Sequence, residues 1–418
     1  MITITALGAV VGLIVAIILI MKKINPAYSL ILGSIIGGIV GGANIGETVS
    51  LMISGAQGMI PAILRILTAG ILAGVLIETG AASKIAETIV EKLGESKAII
   101  AIVISATILT MVGVFIDVAV ITVAPIAMAI AKKTGISRTG VLIAMIGGGK
   151  SGNIISPNPN TISAADTFNI PLTSLMMAGI IPAIFGIIIS IIIAKLLSNK
   201  GTKIQQEDID EKTIEDKPSF FTALIGPLTA IIILSLRPLA GIVIDPLIAL
   251  PIGGIIGCLA MGKIKSFNNY CIFGLGKMTG VAVLLLGTGT ISGIIANSAL
   301  KTVLTDFLTS TGAPAFLLAP LAGILMSGAT ASTTSGTAVG SQVFGSTLLG
   351  LGVPAINSAA MIHAGATVLD HLPHGSFFHA TGGSVNMNMK ERLALIPFES
   401  LVGITLTIVS TLIYGVFY

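Results

Sequence analysis

VLIAMIGGGKSGNIISPNPNTIS, residues 141–163, opens as an apolar helix and cannot remain one. Gly147, Gly148 and Gly149 are poor helix formers, and Pro157 and Pro159 each remove an amide donor and clash with the preceding turn. The helix is predicted to break within this stretch. If the stretch lies in a membrane, its freed backbone groups cannot face lipid, so the break must line a polar cavity.

Composition puts it in a membrane. The chain is 54% hydrophobic and 10% charged, against about a quarter charged in soluble domains. Apolar runs near the length of one span, roughly 20 residues, recur along the chain, for example at 2–21, 220–236 and 393–418. Roughly ten spans are expected from that recurrence, with no separate globular domain. The expected class is an all-α polytopic protein, multi-pass in the cell inner (cytoplasmic) membrane. Fifty glycines and 17 prolines suit close-packed or broken membrane helices. Cys258 and Cys271 are too few for a disulfide framework and read as packing residues. The net charge of +4 bears on topology and not on nucleic acid, for which no partner role is expected. The first apolar run lacks a basic leader region and a small-residue cleavage site, so it reads as a retained span.

One long polar stretch, 198–219, falls almost at the midpoint and reads as a cytoplasmic linker between residues 1–197 and 220–418. The two halves resemble each other. INPAYSLILGSIIGG (24–38) matches IDPLIALPIGGIIGC (244–258), and GVLIETGAASKI (74–85) matches GIIANSALKTV (293–303), both at an offset of about half the chain. Each second match leads into one long apolar segment with polar residues in its middle, 98–130 and 314–348. Both are predicted to be re-entrant hairpins. Charge placement indicates inversion. Lys84, Lys92, Lys97, Lys132, Lys133 and Arg138 flank the first hairpin, whereas the equivalent loops of the second half carry little beyond Lys301. Beyond the next helix the order reverses, with Asp166 in the first half against Lys390 and Arg392 in the second. With Lys22, Lys23, Lys263, Lys265 and the linker inside, each half holds about five spans plus a hairpin, and the second half is inverted. Inverted repeats with broken helices are the architecture of secondary transporters, whose sites lie where the breaks meet.

Shifted by half the chain, the break at 141–163 lands on HAGATVLDHLPHGSFFH, within a second predicted broken helix at 353–385. That stretch holds all four histidines, His363, His371, His374 and His379.

Four segments then carry a family resemblance: GAASKIAETIVEKLGE (80–95), VGVFIDVAVITVAPIAMAIAKKTGIS (112–137), SGATASTTSGTAVG (327–340) and DHLPHGSFFHATGGSVNMNMKERL (370–393). The chain resembles the gluconate permease (GntP) family of the ion-transporter superfamily over essentially its whole length. The resemblance implies a proton-coupled uptake system for small organic anions, mostly sugar acids and hydroxy acids. It leaves open Na⁺ coupling, since carbonyls at a helix break also coordinate Na⁺, and a homodimer. Two departures bear on the substrate. Gluconate-type members have His-Gly and then Pro-Pro-His-Pro where this chain has Ser151-Gly152 and then Ser156-Pro157-Asn158-Pro159. They have His-x-Asn-Asp-Ser-Gly-Phe where this chain runs from His371 to Phe377. Sites that hydrogen-bond a particular hydroxyl tolerate such swaps poorly, so a shorter hydroxy acid or another small carboxylate stands beside gluconate.

The candidate residues follow from the breaks and the hairpins. Asp117, in the first hairpin, is expected to be functional because an ionised carboxylate in an apolar setting is costly; proton uptake is its predicted role and a structural ion pair the alternative. Lys150 would balance a substrate carboxylate or pair with Asp117, unless it snorkels to the interface. Ser151, Asn153, Ser156, Asn158 and Asn160 offer hydrogen bonds at the first break, helped by the positive end of the half-helix that follows. Thr330, Ser332, Thr333, Thr334 and Ser335 offer hydroxyls in the second hairpin. His371 matches the family's histidine and is the candidate for titration near neutral pH. Asp370 would share its proton, while His374 and Ser376 would tune substrate choice. His363 and His379 read as packing or interfacial residues. The competing class is an intramembrane metal-dependent hydrolase or metal transporter, with His371-x-x-His374 and Asp370 as zinc ligands. The chain has no His-Glu-x-x-His, Gly-x-Ser-x-Gly or Walker pattern to support it. No cofactor and no resident metal are expected.

Overall fold

The computed structural model describes residues 4–208, 217–373 and 375–417; His374 and the Lys301 side chain lie outside the described residues. The described chain is helical, with two isolated bridges, Ile4 to Ser298 and Ser137 to Lys203, and no strand. Helices Ala6–Met21 and Pro26–Val40 form an antiparallel pair, followed by Ile45–Gln57, Ile60–Glu78 and the amphipathic Ala81–Leu93. A hairpin of Ala98–Met111 and Ile116–Thr134 comes next, then a broken helix, Arg138–Asn153 and Pro159–Thr167, and then Leu172–Ala178 and Ile180–Leu197. Beyond the linker the succession returns: the pair Phe220–Ala240 and Pro246–Ala260, the long Phe267–Ala296, and the short Leu300–Thr311. A hairpin of Leu318–Thr330 and Thr333–Gly350 follows, then a broken helix, Ala355–Gly365 and Ser376–Gly383, with Met389–Ala394 and Ile396–Thr411 closing the chain.

Local chemistry sets these boundaries. Asn25 and Asp245, at matching places in the two halves, each precede a proline and cap the helix behind them, accepting from Ala27 N at 3.0 Å and Leu247 N at 2.9 Å. The apolar runs are cut into shorter pieces than the sequence suggests. Among the described residues, four helices are long and apolar enough to cross a membrane, and several other apolar helices have 10–17 residues. A 16-residue helix such as Ala6–Met21 rises only about 24 Å.

The helices sort into two bundles. The pairs at 6–40 and 220–260 pack with Ile45–Gln57, Ile60–Glu78 and Phe267–Ala296. At its centre Gly274 lies so near Gly70 that a Cβ on Gly274 would come within 1.9 Å of the Gly70 carbonyl oxygen, a backbone contact only glycine permits. The other bundle gathers both hairpins, both broken helices and both C-terminal helices: Ala98–Met111 packs on Arg138–Asn153, which packs on Ile180–Leu197, which packs on Ile396–Thr411.

Gly147, Gly148 and Gly149 do not break their helix. All three lie inside Arg138–Asn153, and the chain leaves the helix only at 154–158. These glycines serve packing. A Cβ at 148 would lie 2.2 Å from the Val103 carbonyl oxygen, and one at 147 would lie 2.2 Å from Ser190 Oγ. The break belongs to the two prolines and to Asn158, whose Oδ1 accepts from Asn160 N, Thr161 N and Thr161 Oγ1 to start the second half-helix.

Candidate functional site

Both breaks and both hairpin tips meet around one cavity of ≈ 550 Å³. Its wall takes Phe115, Ile116 and Asp117 from the first tip, Asn153, Asn158 and Asn160 from the first break, and Ala331 to Ser335 from the second tip. Asp370, Ser376 and Phe377 complete it from the second break. On the opposite side the other bundle contributes Asn25 and a stretch of Phe267–Ala296 around Lys277 and Gly280. Four helices begin at this wall, Ile116–Thr134, Pro159–Thr167, Thr333–Gly350 and Ser376–Gly383. Their positive dipole ends therefore face a single space, although side chains already cap two of them, Asn158 at Pro159–Thr167 and Ser332 at Thr333–Gly350. Asn153 adds a further donor. Its Oδ1 accepts from Asn158 Nδ2 at 2.6 Å, while its own Nδ2 is buried and has no partner among the described residues.

The second tip is tied to both breaks. Thr334 Oγ1 donates to Asn160 Oδ1 at 2.5 Å. Thr333 Oγ1 donates to Asp370 Oδ2, also at 2.5 Å. Ala331 turns the second hairpin in the left-handed region, at φ 47°, a strained conformation for a residue with a Cβ. It packs on Gly375, where a Cβ would lie 2.6 Å from both the Ala331 Cβ and its carbonyl oxygen.

Several predicted residues stand elsewhere. Lys150 is completely buried and neither snorkels nor meets Asp117. Its ammonium donates to Thr367 O and Asp370 Oδ1, both at 2.6 Å, and reaches His371 Nδ1 at 3.0 Å. The charge that the sequence assigned to a substrate is thus matched by a carboxylate from the other half. His371 is likewise buried behind the wall; its Nε2 lies 3.0 Å from Ile396 O and 3.2 Å from Ser400 Oγ. Ser151 Oγ donates to Gly147 O at 2.9 Å, away from the cavity. Ser156 is buried with no partner among the described residues, and Thr330 Oγ1 bonds back to Met326 O at 2.8 Å. Asp117 differs from expectation in the other direction: it is half-buried and lines the cavity instead of being enclosed in an apolar interior. His374 lies outside the described residues. The zinc arrangement meets a physical obstacle, because the Lys150 ammonium stands 3.0 Å from His371 Nδ1, where a metal ion would bind.

Two ionic clusters were not predicted. Arg392, read as a topology charge, is 2% exposed. It forms a two-pronged pair with the buried Glu399, donates to Phe378 O at 3.0 Å and stacks over the Phe378 ring at 4.5 Å. Together with Lys150 and Asp370 it makes a buried set of two cations and two anions around His371. Arg65 forms the second cluster. It clamps Asp245 through Nε at 2.9 Å and Nη2 at 2.6 Å, and pairs through Nη1 with Asp166. Arg65 and Asp245 belong to one bundle and Asp166 to the other, and the cluster lines a separate recess of ≈ 180 Å³. A simple signal was available in the sequence, since Arg65 and Glu399 each interrupt an apolar run and a membrane-embedded charge needs a partner.

Described residues that are all helical, with several apolar helices and a cavity where the helix breaks meet, have the build of a membrane permease. The chain belongs to the GntP family of permeases, whose sequence profile matches residues 2–417. It is 62% identical, over the full length of both chains, to an uncharacterized transporter of Haemophilus influenzae. A gluconate permease of Pseudomonas aeruginosa is 21% identical over 441 aligned residues that cover 97% of each chain. The fold is similar to the crystal structure of the YdaH transporter of Alcanivorax borkumensis, with a TM-score of 0.65 at 14% identity over 88% of each chain.

Proposed function

We propose that the chain is a secondary active permease of the inner membrane for a small organic anion. Gluconate, a related sugar acid or a short hydroxycarboxylate fits, carried in proton symport by alternating access. The observation that carries this reading is the convergence of four helix N-termini and the unpartnered Asn153 amide on one cavity, an arrangement that favours an anion with hydroxyl groups. The distant likeness to gluconate permeases supports the same class.

Asp117 supplies a route to proton coupling. In the same cavity, an ionised Asp117 repels an incoming anion, and protonation removes that repulsion, so proton and substrate favour each other's binding. Asp370 and His371, joined to Lys150 behind the wall, would transmit the change to the second hairpin through Thr333. The recurring order of helices and the uneven placement of lysines support two inverted repeats, 1–197 and 220–418, joined by a cytoplasmic linker. On that topology the Arg65 cluster closes the outer face and the cavity opens inward.

Proteoliposome uptake of labelled gluconate and glycerate tests the reading. Accumulation driven by an imposed inward proton gradient and abolished by a protonophore is expected. Accumulation that follows a Na⁺ gradient alone would replace the proton with Na⁺, and no accumulation of either acid would overturn the proposal.

A further inference from the structure

A carboxylate held in the cavity requires a counter-charge, and Lys150 does not provide one, because it is buried against Asp370. Among the described residues that line the cavity, Lys277 is the single cation. It sits on Phe267–Ala296 between Gly276 and Gly280, where an added Cβ would meet nothing within 4 Å. That face of the helix is bare and leaves room for the lysine to swing. In this structure its ammonium rests over the Phe273 ring, one turn back, at 5.4 Å. An exposed cation–π contact of this kind is worth only about 0.5–1 kcal/mol, so leaving it costs little.

We infer that Lys277 is the residue that captures the substrate's carboxylate and so selects acids over their neutral analogues. This rests on the proposed function and goes beyond it in one respect. Lys277 belongs to the bundle built on the 70–274 glycine contact, whereas Asn153, the half-helix N-termini and the hairpin tips belong to the other. An anion gripped by both draws the two bundles together across the cavity. Substrate binding and closure then become one event, because the ligand favours the state in which both grips are made.

The test uses purified full-length protein in nanodiscs and measures binding of gluconate, glycerate and glyceramide, the neutral amide of the last. Wild type is expected to prefer glycerate to glyceramide. Lys277→Met should lose about tenfold or more in affinity for the acids, as expected for a charge-assisted hydrogen bond, and should lose the preference for acid over amide. Lys277→Arg should keep that preference. Thermal stability of both variants should stay close to wild type, because the contact in question, over the Phe273 ring, is exposed and weak. A Lys277→Met protein that retains the wild-type acid-to-amide ratio overturns the inference and leaves the transport reading intact. A wild type that binds neither acid overturns the transport reading, and this inference with it.

Discussion

Replacing Asp370 by Asn should destabilise the folded protein by about 3–5 kcal/mol, the usual result of removing one member of a buried ion pair. The Lys150 ammonium would remain at zero exposure with no carboxylate bonded to it. Thr333 Oγ1 would also face an amide instead of a carboxylate, weakening the tie between the second hairpin and the second break. Lys150→Met should cost a similar amount by stranding Asp370. The double variant Lys150→Met/Asp370→Leu removes both charges and should recover most of the loss, since well-packed apolar replacements of buried pairs are often neutral. With Asp370→Leu and Lys150→Met as the two singles, cost in each and recovery in the double variant give a large coupling energy in a double-mutant cycle. The chain contains no tryptophan, but Cys258 is buried and Cys271 is partly so. A thiol-reactive dye therefore reports unfolding of the detergent-solubilised protein directly. Single variants that lose less than about 1 kcal/mol, or a double variant as unstable as the sum of the singles, would refute the buried-pair account.

Arg65→Gln, in a background without Cys258 and Cys271 and carrying Ala165→Cys, should raise the rate at which an impermeant thiol reagent labels position 165. Breaking a half-exposed cluster is expected to shift the closed population by about 1–3 kcal/mol, or 5–150-fold; an unchanged rate would show that the cluster does not hold that face shut. Asp117→Asn should abolish the dependence of uptake on the proton gradient while preserving exchange of acid across the membrane, checked by counterflow; persistent gradient-driven accumulation would remove Asp117 from the coupling path. Asn158→Ala takes three accepted hydrogen bonds from the start of Pro159–Thr167 and should cost about 1 kcal/mol, with weaker acid binding, as read by thermal unfolding with and without gluconate. Ala331→Gly should relieve the left-handed strain and stabilise the protein by about 1 kcal/mol, whereas Gly375→Ala should lower stability by pushing the hairpin tip from the second break.

The parts of the fold governed by local chemistry were legible in the sequence. Pro157 and Pro159 announced the first break, and the Ser/Thr-rich middle of 314–348 announced a tip that could not be an ordinary span. Asn153, Asn158, Asn160, Ser332 to Ser335 and Ser376 all reach the cavity because they sit at those interruptions. What was hidden depended on partners far away in the chain. The three glycines at 147–149 look alike whether they break a helix or admit Val103 and Ser190. Lys150 looks like a ligand for an anion until Asp370 is brought beside it. Arg65 meets Asp166 and Asp245 across 101 and 180 residues. No window of sequence contains such a pair, although the rule that embedded charges seek partners would have marked each member.

The Lys150–Asp370 pair also sets a schedule for making the protein. Its members are 220 residues apart, and at synthesis rates of about 5–20 residues per second the lysine is made roughly 10–45 s before its carboxylate. During that interval helix Arg138–Asn153 carries a charge with no counter-ion, and lipid is a poor place for it to wait. The first half must therefore remain beside the insertion machinery, or at the water interface, until the second half arrives. A chain truncated in the linker should be recognised as unfinished and degraded, and the two halves made as separate polypeptides should survive only when both are present.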